Sequence, residues 1–172
     1  LFALCDAYEA TCDEELAKMA RWIFAGLKRV ATVSTEPGFV PRGPHPDGKS
    51  YYKDSSLDQH TLYLCGLWRF YRSRLSTDEE KAAMREIVRA VIMRLKDAGW
   101  ALQIEDGTKQ SWEGGSLLTK DAKWSLVLLC MTAIAADVTG DLEEGFNAAD
   151  DFVLFFQRRN RYCPILQDLR LQ

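Results

Sequence analysis

The sequence predicts an all-α protein of helical hairpins, in which outer amphipathic helices alternate with inner apolar helices. Nearly every long segment of the 172-residue chain has apolar residues at helical spacing. An internal repeat is also visible, because the interval from Cys65 to Cys130 equals that from Asp13 to Asp78, and Asp141 follows Asp78 at almost the same distance. A period of this length fits one helical hairpin plus one long loop.

The helices follow one another in a regular order. Residues 1–10 are interpreted as the end of an inner helix. Residues 13–33 form an amphipathic outer helix, with acids in the first turn and bases in the last, as the helix dipole favours. Residues 57–72 are apolar around the whole circumference, which is typical of a buried inner helix. The alternation continues with an outer helix at 77–98, an inner helix at 121–138 and an outer helix at 141–158.

Two kinds of connection alternate along the chain. Short turns at 73–77 and 139–141 follow inner helices, whereas long loops at 34–56 and 99–120 precede them, and 160–172 would begin a third. Long loops without secondary structure are uncommon in compact domains and are usually functional.

Closing such hairpins into a ring gives an α/α toroid, with the long loops gathered at the N-terminal ends of the inner helices. Those ends favour polar or anionic ligands. The chain has about two and a half hairpins, so the ring is incomplete. We expect one partial-toroid domain over 1–172, belonging to a longer chain. The remaining hairpins would come from that chain or from another subunit.

The first loop contains a specific motif, G-F-V-x-R-G-x-x-P-D-G-K-x-Y-Y-x-D-S-S-x-D-Q-x-T, at residues 38–61. This motif, about a seventh of the chain, resembles one in bacterial six-hairpin (α/α)6-toroid proteins related to glycoside hydrolases and polysaccharide lyases. The resemblance implies a carbohydrate-active protein that hydrolyses glycosidic bonds of a polysaccharide or oligosaccharide. It also favours a periplasmic or extracellular location over a cytoplasmic one. Toroids host lyases, epimerases and noncatalytic relatives as well.

Asp58 is the first catalytic candidate, since it stands in the opening turn of an otherwise apolar inner helix. It would act as a general acid or base, although the helix dipole alone also favours an acid there. Gln59 would bind sugar hydroxyls, and His60 is interpreted as a structural histidine. Arg42 would clamp a substrate carboxylate through two hydrogen bonds, or brace the loop through one of its aspartates. His45 shares this proline-restricted loop and is a further substrate-binding candidate.

The second loop supplies the proposed partners of Asp58. Glu113 is the first choice for the second carboxylate of an acid/base pair, which in glycosidases stands about 5 to 9 Å from the first. Glu105 is another carboxylate of this loop, while Asp106-Gly107 is interpreted as a turn. Trp112 would stack on the C–H face of a sugar, and Trp68, on an inner helix, is a further binding candidate.

The tyrosines of the first loop are expected to divide two roles. One of Tyr51 and Tyr52 would anchor the loop, and the other would meet substrate. Tyr52 is the substrate-binding candidate.

Composition excludes several classes of protein. A net charge of −3 and a pI of about 5.5 argue against a nucleic-acid partner, and no apolar run reaches the length of a membrane span. With two histidines and five cysteines without a CxxC pair, no zinc site can be built. No cofactor motif is present. Cys5, Cys65 and Cys130 lie in apolar stretches, where cysteine usually behaves as a small buried hydrophobe.

Three other functions remain open at this point. The first is a uronate-directed polysaccharide lyase or unsaturated-uronyl hydrolase. The second is a noncatalytic sugar-binding or scaffold module, and the third is a helical domain whose long loops bind protein.

Overall fold

The computed structural model describes residues 1–111, 115–118 and 122–140 and is all-α, with five helices and no strand in that part of the chain. The helices are α1 (Phe2–Thr11), α2 (Glu14–Thr32), α3 (Leu57–Tyr71), α4 (Asp78–Asp97) and α5 (Ala122–Thr139). Each matches a predicted helix to within a few residues. The helix expected at 141–158 and the loop expected at 160–172 lie outside the described residues. None of the described helices is long and apolar enough to cross a bilayer.

The outer helices begin where their capping residues predict. The Asp13 carboxylate accepts a hydrogen bond from the Glu15 backbone N–H at 2.9 Å. At α4, Thr77 and Glu80 form a reciprocal capping box, with bonds of 3.1 and 2.8 Å. Such caps supply partners for backbone N–H groups that the helix itself leaves unpaired.

The inner helices α1, α3 and α5 run parallel to one another. Arg69 of α3 reaches Asp6 of α1, with 2.6 Å between Nε and Oδ1. On the other side of α3, the Trp68 indole N–H donates to Asp137 of α5 at 2.8 Å. The residues in contact between α3 and α5 are therefore separated in the sequence by about one repeat. This is the separation expected for equivalent helices of successive hairpins.

The outer helix α2 runs antiparallel to α3. The Phe24 and Phe70 rings stack with centroids 4.8 Å apart, and the Arg21 guanidinium donates to the Leu75 carbonyl at 2.9 Å. The other outer helix, α4, packs against α3 and α5. The core lies between the inner and outer helices, and its largest members include Phe70, Leu64, Leu67, Met84, Ile92, Leu128 and Met131.

The inner helices are not buried all round, which differs from the prediction. Leu62 of α3 is 72% exposed and Leu126 of α5 is 64% exposed, at nearly equivalent places in the repeat. Cys5 is buried as expected, but Cys130 is exposed and Cys65 is half-buried. The burial expected for Cys130 is wrong, because no described residue covers that face of α5.

The two long loops pack against the helices and against each other. Gly38 lies so close to α4 that a Cβ there would come within 2.1 Å of the Ala90 carbonyl oxygen. The Glu105 backbone N–H donates to the Lys53 carbonyl at 3.0 Å, which joins the second loop to the first. The first loop is thereby held against α4 and the second loop.

Candidate functional site

A cleft of about 550 Å³ opens beside the N-terminal half of α3, between α1, α2 and the first loop. Most of its wall is apolar and comes from Leu1, Phe2, Ile23, Leu27, Val30, Val40, Leu62 and Tyr63. Three predicted site residues stand together in the same wall, namely Arg42, Asp58 and Gln59. The cleft therefore combines a large apolar surface with one small cluster of three polar side chains.

Asp58 lies in the first turn of α3 and is exposed. The side chain of Ser56, the N-cap residue, makes no hydrogen bond to the helix backbone, and its hydroxyl donates instead to the Asp58 carboxylate. This bond lowers the pKa of Asp58, aided by nearby backbone N–H groups and by the positive charge of Arg42. Asp58 is thus ionised at neutral pH, a state suited to a base, a nucleophile or a hydroxyl acceptor.

Gln59 connects α3 to the first loop. Its side-chain amide donates to the Arg42 backbone carbonyl at 2.9 Å. This bond fixes the backbone from which the Arg42 side chain extends toward the cleft. Gln59 therefore positions Arg42 in addition to lining the cleft.

His60 is structural, in agreement with its interpretation from sequence. Its Nδ1 lies 3.0 Å from the Ser56 carbonyl oxygen and 3.2 Å from the Ser55 hydroxyl. Because a carbonyl oxygen only accepts, Nδ1 carries the proton. Burial lowers the pKa of His60 to about 4, so the ring is neutral at pH 7. The Ser55 hydroxyl in turn donates to the Val40 carbonyl at 2.5 Å, which joins the two ends of the first loop.

His45 and Tyr52 form an aromatic pair at the tip of the first loop. Their rings are tilted by 39° with centroids 4.9 Å apart, and neither residue lines the cleft. The turn between them is built on Asp47, whose carboxylate accepts from the backbone N–H groups of Lys49 and Ser50, both at 2.9 Å. Asp47 and Gly48 thus lie in a turn, in which the Gly48 N–H donates to the His45 carbonyl at 2.9 Å.

Tyr51 takes the anchoring role predicted for one of the two tyrosines, whereas the substrate-binding role of Tyr52 stays a prediction. The Tyr51 hydroxyl donates to the Glu105 carboxylate, whereas Tyr52 is 58% exposed. Tyr51 therefore anchors the loop, and the exposed ring of Tyr52 is accessible to a ligand.

Glu105 is the main loop-joining residue that the sequence did not identify. It is only 8% exposed, accepts from the Ser34 hydroxyl at 2.6 Å and pairs with Lys53 at 3.1 Å. Burial raises the pKa of Glu105, but the bonds from Ser34, Tyr51 and Lys53 outweigh it and the net shift is downward. These partners lie up to 71 residues away, so no local pattern could reveal them.

The other described residues singled out from the sequence do not line the cleft. Trp68 lies in the last turns of α3, at the opposite end from Asp58, and bonds to Asp137. Asp106 accepts from the Thr108 backbone N–H at 3.0 Å, so its assignment to a turn is confirmed. Trp112 and Glu113 lie outside the described residues, and the structure does not test them.

Within the described ranges, no three His, Cys, Asp or Glu side chains cluster as metal ligands would. Comparison with protein-family models, curated proteins and solved structures finds no match to this chain.

Proposed function

We propose that this chain is the partial α/α toroid of a carbohydrate-active protein, which binds a polysaccharide or oligosaccharide in the cleft and cleaves its glycosidic bonds. One observation carries the proposal, namely the ionised Asp58 held beside Arg42 in an otherwise apolar cleft. Sugars present apolar C–H faces together with hydroxyl groups, and such a cleft offers surfaces for both. The toroid is supported by the three parallel inner helices and by the repeat that relates Cys65 to Cys130.

The charge state of Asp58 decides its part in such a reaction. A carboxylate whose pKa is lowered is a poor acid at neutral pH. It suits the base that activates water in an inverting glycosidase, or the nucleophile of a retaining one. The leaving group would then need a separate acid, and Glu113 of the second loop is our candidate.

A uronate-directed lyase is the second candidate, and the position of Arg42 near Asp58 in the cleft wall favours it. In β-elimination a base removes the proton next to a carboxylate, and a nearby cation stabilises the resulting anion. Asp58 would be the base and Arg42 the cation. This reaction needs no second carboxylate, and Asp58 is the only one among the described residues that line the cleft.

A glycan panel containing neutral and uronate polysaccharides tests these proposals. Hydrolysis would release new reducing ends without ultraviolet absorbance, whereas elimination would also produce an unsaturated, absorbing uronate. Binding without either product would instead indicate a noncatalytic sugar-binding module.

Asp58→Asn is the decisive variant, and Asp78→Asn is its matched control in the first turn of the outer helix α4. General acid–base groups contribute about 10²- to 10⁴-fold to rate, so Asp58→Asn should lower kcat by at least about 100-fold. The control should retain the rate of the unmodified protein. Unchanged turnover by Asp58→Asn would remove the catalytic assignment.

A further inference from the structure

Two cysteines at equivalent positions of the repeat lie on neighbouring helices. Cys65 is on α3 and Cys130 is on α5, and these helices pack in parallel. Arg72 and Asp137 are related by the same interval in the sequence, with 3.6 Å between Nη1 and Oδ1. The cysteine pair precedes that ion pair by about two helical turns on both helices. The register therefore brings the two cysteines side by side.

The environments of the two thiols differ. Cys130 is exposed, whereas Cys65 is half-buried and lines the cleft. The two side chains are near enough to interact, and burial together with this neighbour raises the pKa of the Cys65 thiol. Cys130 is thus the accessible thiol, and Cys65 is a partner already within reach.

We propose that Cys65 and Cys130 are a thiol–disulfide site, which closes a reversible bridge between α3 and α5 on reaction with a low-molecular-weight disulfide. The exposed Cys12 offers a contrast, since it stands on the turn between α1 and α2 and belongs to no such pair among the described cysteines. Cys5, on the buried face of α1, is shielded from reagents.

The reaction would proceed by two exchanges. The Cys130 thiolate attacks one sulfur of glutathione disulfide, which forms a mixed disulfide and releases one glutathione thiolate. The Cys65 thiolate then attacks the Cys130 sulfur, so that the protein bridge forms and the second glutathione leaves. The two protein thiols lose two electrons and two protons, and glutathione disulfide is reduced to two glutathione molecules.

The test uses the full chain, reduced and then equilibrated anaerobically with glutathione and glutathione disulfide over a series of ratios. After an acid quench and alkylation, intact mass and peptide mapping locate every bridge. The expected product has lost two hydrogens, carries three alkylated cysteines out of five and yields a peptide joining Cys65 to Cys130.

The variants separate this site from general thiol reactivity. Cys65→Ser should stop at a glutathione adduct on Cys130, whereas Cys12→Ser should form the bridge as readily as the unmodified chain. Five alkylated cysteines at the most oxidising ratio would overturn the proposal. So would a dominant bridge that includes Cys12 or Cys163.

Discussion

Replacing Gly38 with alanine tests how the first loop is held against the helices. Gly38 has a φ of +74°, in the left-handed region that residues with a Cβ rarely adopt. A Cβ at this position would lie 2.1 Å from the Ala90 carbonyl oxygen and 2.5 Å from its carbon. Both atoms belong to the α4 backbone, which cannot rotate away as a flexible side chain could. The loop or the helix must therefore move.

The expected loss of stability has two parts. Placing a non-glycine residue in the left-handed region costs roughly 1–2 kcal/mol. Forcing an extra carbon into a packed contact typically costs about 1–3 kcal/mol. Gly38→Ala should therefore lower the free energy of unfolding by about 3 kcal/mol. In urea this corresponds to a midpoint lower by on the order of 1 M.

Gly99→Ala is the matched control for the backbone term. Gly99 also has a positive φ, +62°, but a Cβ there would meet no atom within 4 Å. Its loss should be about 1 kcal/mol, so the difference between the two variants measures the contact with Ala90. Urea unfolding followed by far-ultraviolet circular dichroism gives both values. Equal midpoints for the two variants would show that Gly38 does not pack on α4 as described.

Three further variants and one control test other contacts. Because burial depresses the pKa of His60 from 6.5 to about 4, its stabilising neutral form is fully effective above pH 6.5. That contribution, up to about 3 kcal/mol, is lost as the pH falls from 6.5 toward 4. The difference in free energy of unfolding between the unmodified chain and His60→Asn should therefore shrink over the same pH range. Glu105→Gln should lower the free energy of unfolding by about 2 kcal/mol and speed limited proteolysis within the two long loops. Cleavage at an unchanged rate would contradict the conclusion that Glu105 holds the two loops together. Arg69→Met should cost about 2 kcal/mol by separating α1 from α3, whereas Arg89→Met, at an exposed pair, should change stability by less than about 0.5 kcal/mol.

The helices could be predicted because their signals are local. The Thr77–Glu80 capping box and the apolar stripe of α4 are formed by residues close together in the sequence. They can therefore be recognised without knowing which distant residues the helix contacts. The repeat added the parallel order of the inner helices, since α3 and α5 meet at a separation close to its period. Part of the site followed as well, because Arg42, Asp58 and Gln59 belong to one motif.

What the sequence missed depends on contacts between distant residues. The apolar character of Leu62 and Leu126 predicts burial, but hydropathy does not specify which surface would cover them. Glu105 precedes an Asp-Gly turn and looks like part of an exposed loop. In the fold it is bonded to Ser34 and Tyr51, which are 71 and 54 residues away in the sequence.

The repeat also separates the features that build the fold from those that build the site. Helix contacts recur between α3 and α5, so the needs of the hairpin itself are sufficient to account for these contacts. The opening of α3 does not recur. In the register set by Cys65 and Cys130, the position of Asp58 is taken by Lys123 in α5, and Asp121 corresponds to the N-cap residue Ser56.

A carboxylate needed only to favour the start of a helix would be equally useful at both places, since the dipole is the same. The dipole disfavours a lysine in the first turn, yet α5 has Lys123 there. The hairpin therefore does not require an acid at this position. The position of Asp58 at α3, beside Arg42 and at the cleft, is in keeping with the ligand-binding role proposed above.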